Sequence, residues 1–277
     1  MRLRSLLPLV LATGLLASVP SFVREGKGPG VLLVHGLGGN REVWAEVAKA
    51  LAKDHTVVRV DLPGSSGSEG PAVVDGAAAF EPVATELAAL VRREQLEPCL
   101  IVGHSMGGPL SALAVLRDPG AFRGLVLVDS FLGVVPAGFF EGAVKALEAD
   151  PRGALQSFFK PMTSGEAQGA RVLAEALQVP VPAIQAYLRG LTVDNLKGRQ
   201  GSLKLPVAHF KAGAEDPDPA RRKAALTFFG FQELPDFRTV AFPKARHWVM
   251  WDEPDAFLKA LRAFEADLHL RLPKTSR

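Results

Sequence analysis

The chain has 277 residues, enough for one large domain or a domain with an insertion. Its 48% hydrophobic and 22% charged residues fit a globular protein with a substantial core, and a net charge of +3 spread without an extended basic run points away from nucleic acid. The single cysteine, Cys99, excludes an intramolecular disulfide and a cysteine-based zinc site, and its apolar run Cys99-Leu-Ile-Val102 reads as a buried strand.

At the N-terminus, Arg2 and Arg4 precede an apolar stretch from Leu6 to Ala17, followed by Ser18-Val-Pro-Ser21. That is the layout of a secretory signal, so residues 1–21 are expected to direct the protein to the periplasm or the exterior. The alternatives are a membrane anchor counted on to Val23, giving membrane contact through residues 1–23, or a cytoplasmic protein with an apolar first segment. From residue 22 onward, strand and helix patterns alternate. Val31–Val34 is a short continuous apolar run, as a buried parallel strand requires. Residues 44–52 read as a helix, 56–60 as a strand ending at Asp61, and 80–93 as a helix with Val83, Leu87, Leu90 and Val91 at helical spacing. Strand 99–102, helix 109–116 and strand 125–128 follow. This rhythm predicts an α/β fold, a mostly parallel twisted sheet with helices on both faces. Residues 133–204 carry no strand pattern and read as short helices broken by Gly and Pro, a helical insertion between core strands. Strand patterns return at 206–210 and 239–242, and a last helix spans 255–268. The expected division is therefore a core of 22–132 and 205–277 with a helical lid of 133–204.

The chemistry centres on Gly103-His-Ser105-Met-Gly107, a G-x-S-x-G pattern placed after a strand and before a helix. So tight a turn leaves no room for side chains at 103 and 107, and it forces the serine into a strained conformation with its hydroxyl free. Ser105 is the candidate nucleophile. The glycine-rich His35-Gly-Leu-Gly-Gly39 follows strand 31–34, and the backbone N–H groups of Leu37 and Met106 are the candidate oxyanion donors. His35 reads as a support of that loop and His104 as a variable position of the turn. A serine hydroxyl needs a base. Of six histidines, His247 lies on the loop after the last strand, at the sheet edge where parallel sheets present catalytic groups. The supporting acid is expected at Asp216, in the loop after strand 207–210 that also holds Glu215 and Asp218; its main rival is Asp129, at the end of strand 125–128.

These features resemble the α/β-hydrolase superfamily, in its serine esterase and lipase-like branch, over residues 22–268. The resemblance rests on the His35-Gly36 loop with Trp44 downstream, Asp61-Leu-Pro-Gly64-Ser-Ser-Gly67-Ser68, the turn around Ser105, Gly213-x-x-Asp216 and the tail from His247 to Phe257. It implies hydrolysis of carboxylic esters through an acyl-enzyme on Ser105, with neither metal nor cofactor. The substrate would be a small ester-like molecule with an apolar acyl group, given Phe139, Phe140, Leu147, Phe158 and Phe159 in the lid. Acyl transfer and amide, lactone or carbon–carbon hydrolysis use the same triad. A non-catalytic binding protein on this fold is the alternative of another class. Two positions depart from the family pattern. Arg246 stands where Gly often precedes the histidine, and only 22–25 are available for the opening hairpin's second strand.

Overall fold

The structure, a computed structural model, describes residues 20–133, 135–193 and 196–271. Among these residues the sheet has seven strands: β1 (Ser21–Glu25), β2 (Gly30–Val34), β3 (Thr56–Asp61), β6 (Cys99–His104), β7 (Phe122–Val128), β8 (Val207–Ala212) and β9 (Phe237–Phe242). A two-stranded hairpin, β4 (Val73–Val74) and β5 (Ala77–Ala78), stands apart. The sheet order is β1-β3-β2-β6-β7-β8-β9. All pairs are parallel except β1 with β3, where Ser21 lies opposite Asp61. Every residue of β2, β3, β6 and β7 is buried, which explains their continuous apolar runs.

Helices cover both faces. Gly124 of β7 faces α10 (Pro254–Arg271), where a Cβ would meet Leu268 and Phe264, whereas Leu127 faces Gly108 of α3 (Gly107–Arg117). Positions three apart on a strand point to opposite faces. On the α3 side, α2 (Phe80–Arg93) packs through Phe80, Val83, Ala84, Leu87, Ala88, Leu90 and Val91, an i, i+3, i+4 stripe. Burying a ring such as Phe80 is worth about 1.5–3 kcal/mol. A short helix α1 (Ala45–Leu51) lies against α10. Cys99 is enclosed, and burial pushes its thiol up to about 12, which keeps it protonated and inert.

Between β7 and β8 the chain forms α4 (Glu141–Ala149), α5 (Pro151–Phe159), α6 (Glu166–Ala176) and α7 (Val181–Gly190). After β8 comes α8 (Pro219–Phe228), and after β9 a short α9 (Val249–Asp252). The signal or anchor reading of residues 1–21 lies outside the described residues except at Pro20 and Ser21, and Ser21 already belongs to the sheet. No helix among the described residues is long and apolar enough to cross a membrane.

Candidate active site

Ser105 sits between β6 and α3 with a φ of 51°, the left-handed conformation that L-residues avoid. The flanking glycines are sterically obligatory. A Cβ on Gly103 would lie 2.3 Å from the Gly107 carbonyl oxygen, and one on Gly107 would lie 2.6 Å from the carbonyl oxygens of Val34 and His35. The strained turn is pinned from both sides. The Ser105 N–H donates to Val128 O at 3.0 Å, and its carbonyl accepts from Gly108 N at 2.9 Å and from the Ser130 hydroxyl at 2.6 Å.

His247 approaches from the loop after β9. Its Nδ1–H donates to Asp129 Oδ2 at 2.7 Å. The other oxygen of Asp129 accepts the backbone N–H of Ala212 at 3.1 Å, and the N–H of Asp129 itself donates to Phe210 O at 2.8 Å, so β8 holds this carboxylate in place. Burial opposes the charge on Asp129. The hydrogen bond and positive charge of His247 and the Ala212 N–H outweigh it and hold the carboxyl below the usual range. Asp129 is ionised at neutral pH, and as acceptor it favours the His247 tautomer protonated on Nδ1.

The geometry therefore corrects the expectation of Asp216. That residue accepts the N–H of Asp218 at 2.9 Å and lies 3.7 Å from Arg221, at the start of α8. Asp218 is that helix's N-cap, accepting from Ala220 N at 2.8 Å. The carboxylates of this loop thus organise the start of α8, while the end of β7 supplies the partner of His247. Asp129 has a φ of 40°, a second strained residue at this edge of the sheet.

Ser105, His247 and Asp129 line one cavity of about 320 Å³ together with Leu37 and Met106, the two expected oxyanion donors. Leu37 belongs to a turn closed by Gly39 N to Gly36 O at 3.2 Å, with Gly38 at a φ of 69°. His35 supports it from below. Its Nδ1–H donates to Gly36 O at 2.8 Å, and its Nε2 accepts from Leu62 N at 2.9 Å. Burial, against that hydrogen bond and the charge of Asp61, lowers its pKa and keeps the ring neutral. Phe139, Phe140, Phe158, Phe159, Met162 and Trp248 form the apolar wall.

Sequence reasoning missed two supports. Ser130, one residue beyond Asp129, clamps the serine turn. His104 packs its ring 4.6 Å from that of His247 and donates Nε2–H to the His247 carbonyl at 3.0 Å. Burial, reinforced by the charge of His247, pushes His104 down to about 3. It thus stays neutral at working pH. The sequence signal for His104 was only its place beside the serine. Arg246 is exposed and donates to Pro161 O at 3.3 Å, tying the loop to the helical segment.

A serine on a strained strand-to-helix turn, a histidine from the last loop and an aspartate from a neighbouring strand thus meet in one cavity. The sequence profile of the alpha/beta hydrolase family matches residues 31–260. The chain belongs to the alpha/beta hydrolase family. Among curated relatives, the pimeloyl-(acyl-carrier protein) methyl ester esterase of Aeromonas hydrophila subsp. hydrophila is 26% identical, covering 88% of this chain and 98% of the relative. The sn-1-specific diacylglycerol lipase ABHD11 of Mus musculus is 26% identical, covering 86% and 81%. Among solved structures, the esterase EaEST from Exiguobacterium antarcticum superposes with a TM-score of 0.76 at 15% identity, over 88% of this chain and 94% of the other. These relatives are ester hydrolases by name, the enzyme class to which the sequence pointed.

Proposed function

We propose that this alpha/beta hydrolase cleaves carboxylic esters through an acyl-enzyme on Ser105. The observation that carries the reading is the convergence, in one cavity, of a strained Ser105 with a His247 whose Nδ1–H is held by Asp129. Ser105 attacks the acyl carbonyl as His247 Nε2 accepts its proton, and Asp129 stabilises the imidazolium. The N–H groups of Leu37 and Met106 receive the oxyanion. His247 then protonates the departing alcohol, and water releases the acid by the same route. The phenyl-rich wall and the cavity's size fit a short or medium apolar acyl group. Residues 133–204 act as the lid that supplies most of that wall. Residues 1–21 act as an export signal, a reading that N-terminal sequencing of the protein recovered from cells checks.

Turnover of p-nitrophenyl esters across acyl lengths tests the proposal. Wild type should hydrolyse the short and medium esters, and Ser105→Ala and His247→Ala should each lower kcat by about 10³-fold or more. A fluorophosphonate should label wild type and spare Ser105→Ala. Turnover that survives in Ser105→Ala would dismiss the acyl-enzyme. Labelling without ester turnover would move the reading to amide, lactone or acyl-transfer chemistry on the same serine. Neither labelling nor turnover in folded protein would favour a binding protein.

A further inference from the structure

A second cavity of about 310 Å³ lies under α8 and shares no lining residue with the one around Ser105. Its floor is the β8–β9 edge, where His209 pairs in register with Thr239. His209 is 4% exposed, and its Nε2 is shut off from solvent with no hydrogen-bond partner among the described residues. A buried polar atom left unpaired is costly and uncommon, so it asks for an explanation. Burial pulls this imidazole down to about 4. It is therefore neutral at working pH and offers one donor and one acceptor.

The walls are flat and aromatic. The His209 ring lies 4.8 Å from Phe231 and 6.2 Å from Phe229. Phe231 stacks on Phe237 at 4.8 Å and 27°, and on Phe229 at 6.0 Å and 23°. The cations at the rim are engaged by backbone carbonyls. Lys211 Nζ donates to the carbonyls of Ala212 and Ala214, and Arg222 donates to Asp216 O. A guest therefore needs no charge, but it needs a flat apolar body and one group that can hydrogen-bond an imidazole. Access to Nε2 requires one wall to yield, and α8 is the more weakly held wall, none of its ten residues being fully buried.

We propose that this cavity binds a small neutral molecule with one flat apolar ring and a hydroxyl, of the phenol class, whose ring lies against the half-buried Phe229 and whose hydroxyl hydrogen-bonds His209. The test is a phenol titration of the full chain, followed through the imidazole nitrogen resonances of its histidines. The expected result is a saturable shift at His209 with His247 unmoved. His209→Leu should weaken saturable binding by about tenfold, the worth of one hydrogen bond, while ester turnover stays within about twofold. His209→Gln, which keeps a hydrogen-bonding group there, should retain part of the affinity, so a loss specific to Leu is separated from a folding defect. His209 resonances that stay still up to the solubility limit of phenol would overturn the proposal. So would undiminished binding in folded His209→Leu, or shifts confined to His247, which would place phenol in the ester cavity alone.

Discussion

A carboxylate serves His247 only if its backbone is held where an oxygen meets Nδ1, and two aspartates compete for that role by sequence. Asp129 is fixed by a donated and an accepted backbone hydrogen bond to β8, while Asp216 turns back to the start of α8. Asp129→Asn should lower kcat by about 10⁴-fold, since an amide favours the wrong imidazole tautomer. Asp216→Asn should leave it within about threefold, and equal losses at saturating ester would contradict the assignment. The proposed nucleophile and base were legible because each sits in a pattern that local sterics enforce, the glycines at 103 and 107 for Ser105 and the last strand–loop for His247. The acid was not, because Gly213-x-x-Asp216 and the end of β7 both place an aspartate after a strand. Only the pairing of β7 with β8 decides between them.

At the scale of elements, apolar patterning located the central strands to within a few residues and read the segment between β7 and β8 as helical. It missed α8, because a helix with no buried residue has no apolar stripe to detect. The Asp218 N-cap followed by Pro219 was the remaining signal. The His247 loop and the helical insertion are joined by more than apolar contact. Asp252 Oδ2 accepts Arg246 N at 2.7 Å, its Oδ1 accepts Ser164 Oγ at 2.7 Å and Gln168 Nε2 at 2.8 Å, and His247 N donates to Met162 O at 3.2 Å. Asp252→Ala should therefore cost about 2 kcal/mol and lower Tm by about 4–8 °C. It should also reduce kcat more than it changes KM, because the base loses its frame before the acyl wall does. An unchanged melting curve together with unchanged turnover would show that this staple is idle.

The whole molecule also carries a buried ionic cluster remote from the site. His55 Nε2 meets Glu265 Oε2 at 2.8 Å, and Arg123 Nη2 meets Glu265 Oε1 at 2.5 Å, all three side chains being buried. Burial opposes ionisation of Glu265, but hydrogen bonds and charge from His55 and Arg123 hold its carboxyl down at about 2. Hydrogen bonding to Glu265, against burial, raises His55 above its usual range. The Glu265 contribution is thus full above pH ~4.5 and fades as pH falls towards about 2. That of His55 is full below pH ~6.5 and fades as pH climbs through its raised value. Glu265→Gln should cost about 3–5 kcal/mol near pH 5.5 and less at pH 3 and pH 9, as read by denaturant unfolding. A pH-independent loss would remove the ionic account.

The antiparallel set of β1 gives the molecule a polarity of attachment. Ser21 stands beside Asp61, the last residue of β3, at the edge of the sheet where Ser105 opens. In its last turns the final helix sets Leu268 against Gly124, near the start of β7 at the opposite edge. A tag or bead joined ahead of Ser21 is attached at the edge of the sheet where Ser105 opens. A tether placed after the last helix turns the mouth outward, so the choice of terminus sets whether an immobilised sample meets bulky esters or only those small enough to slip beneath it.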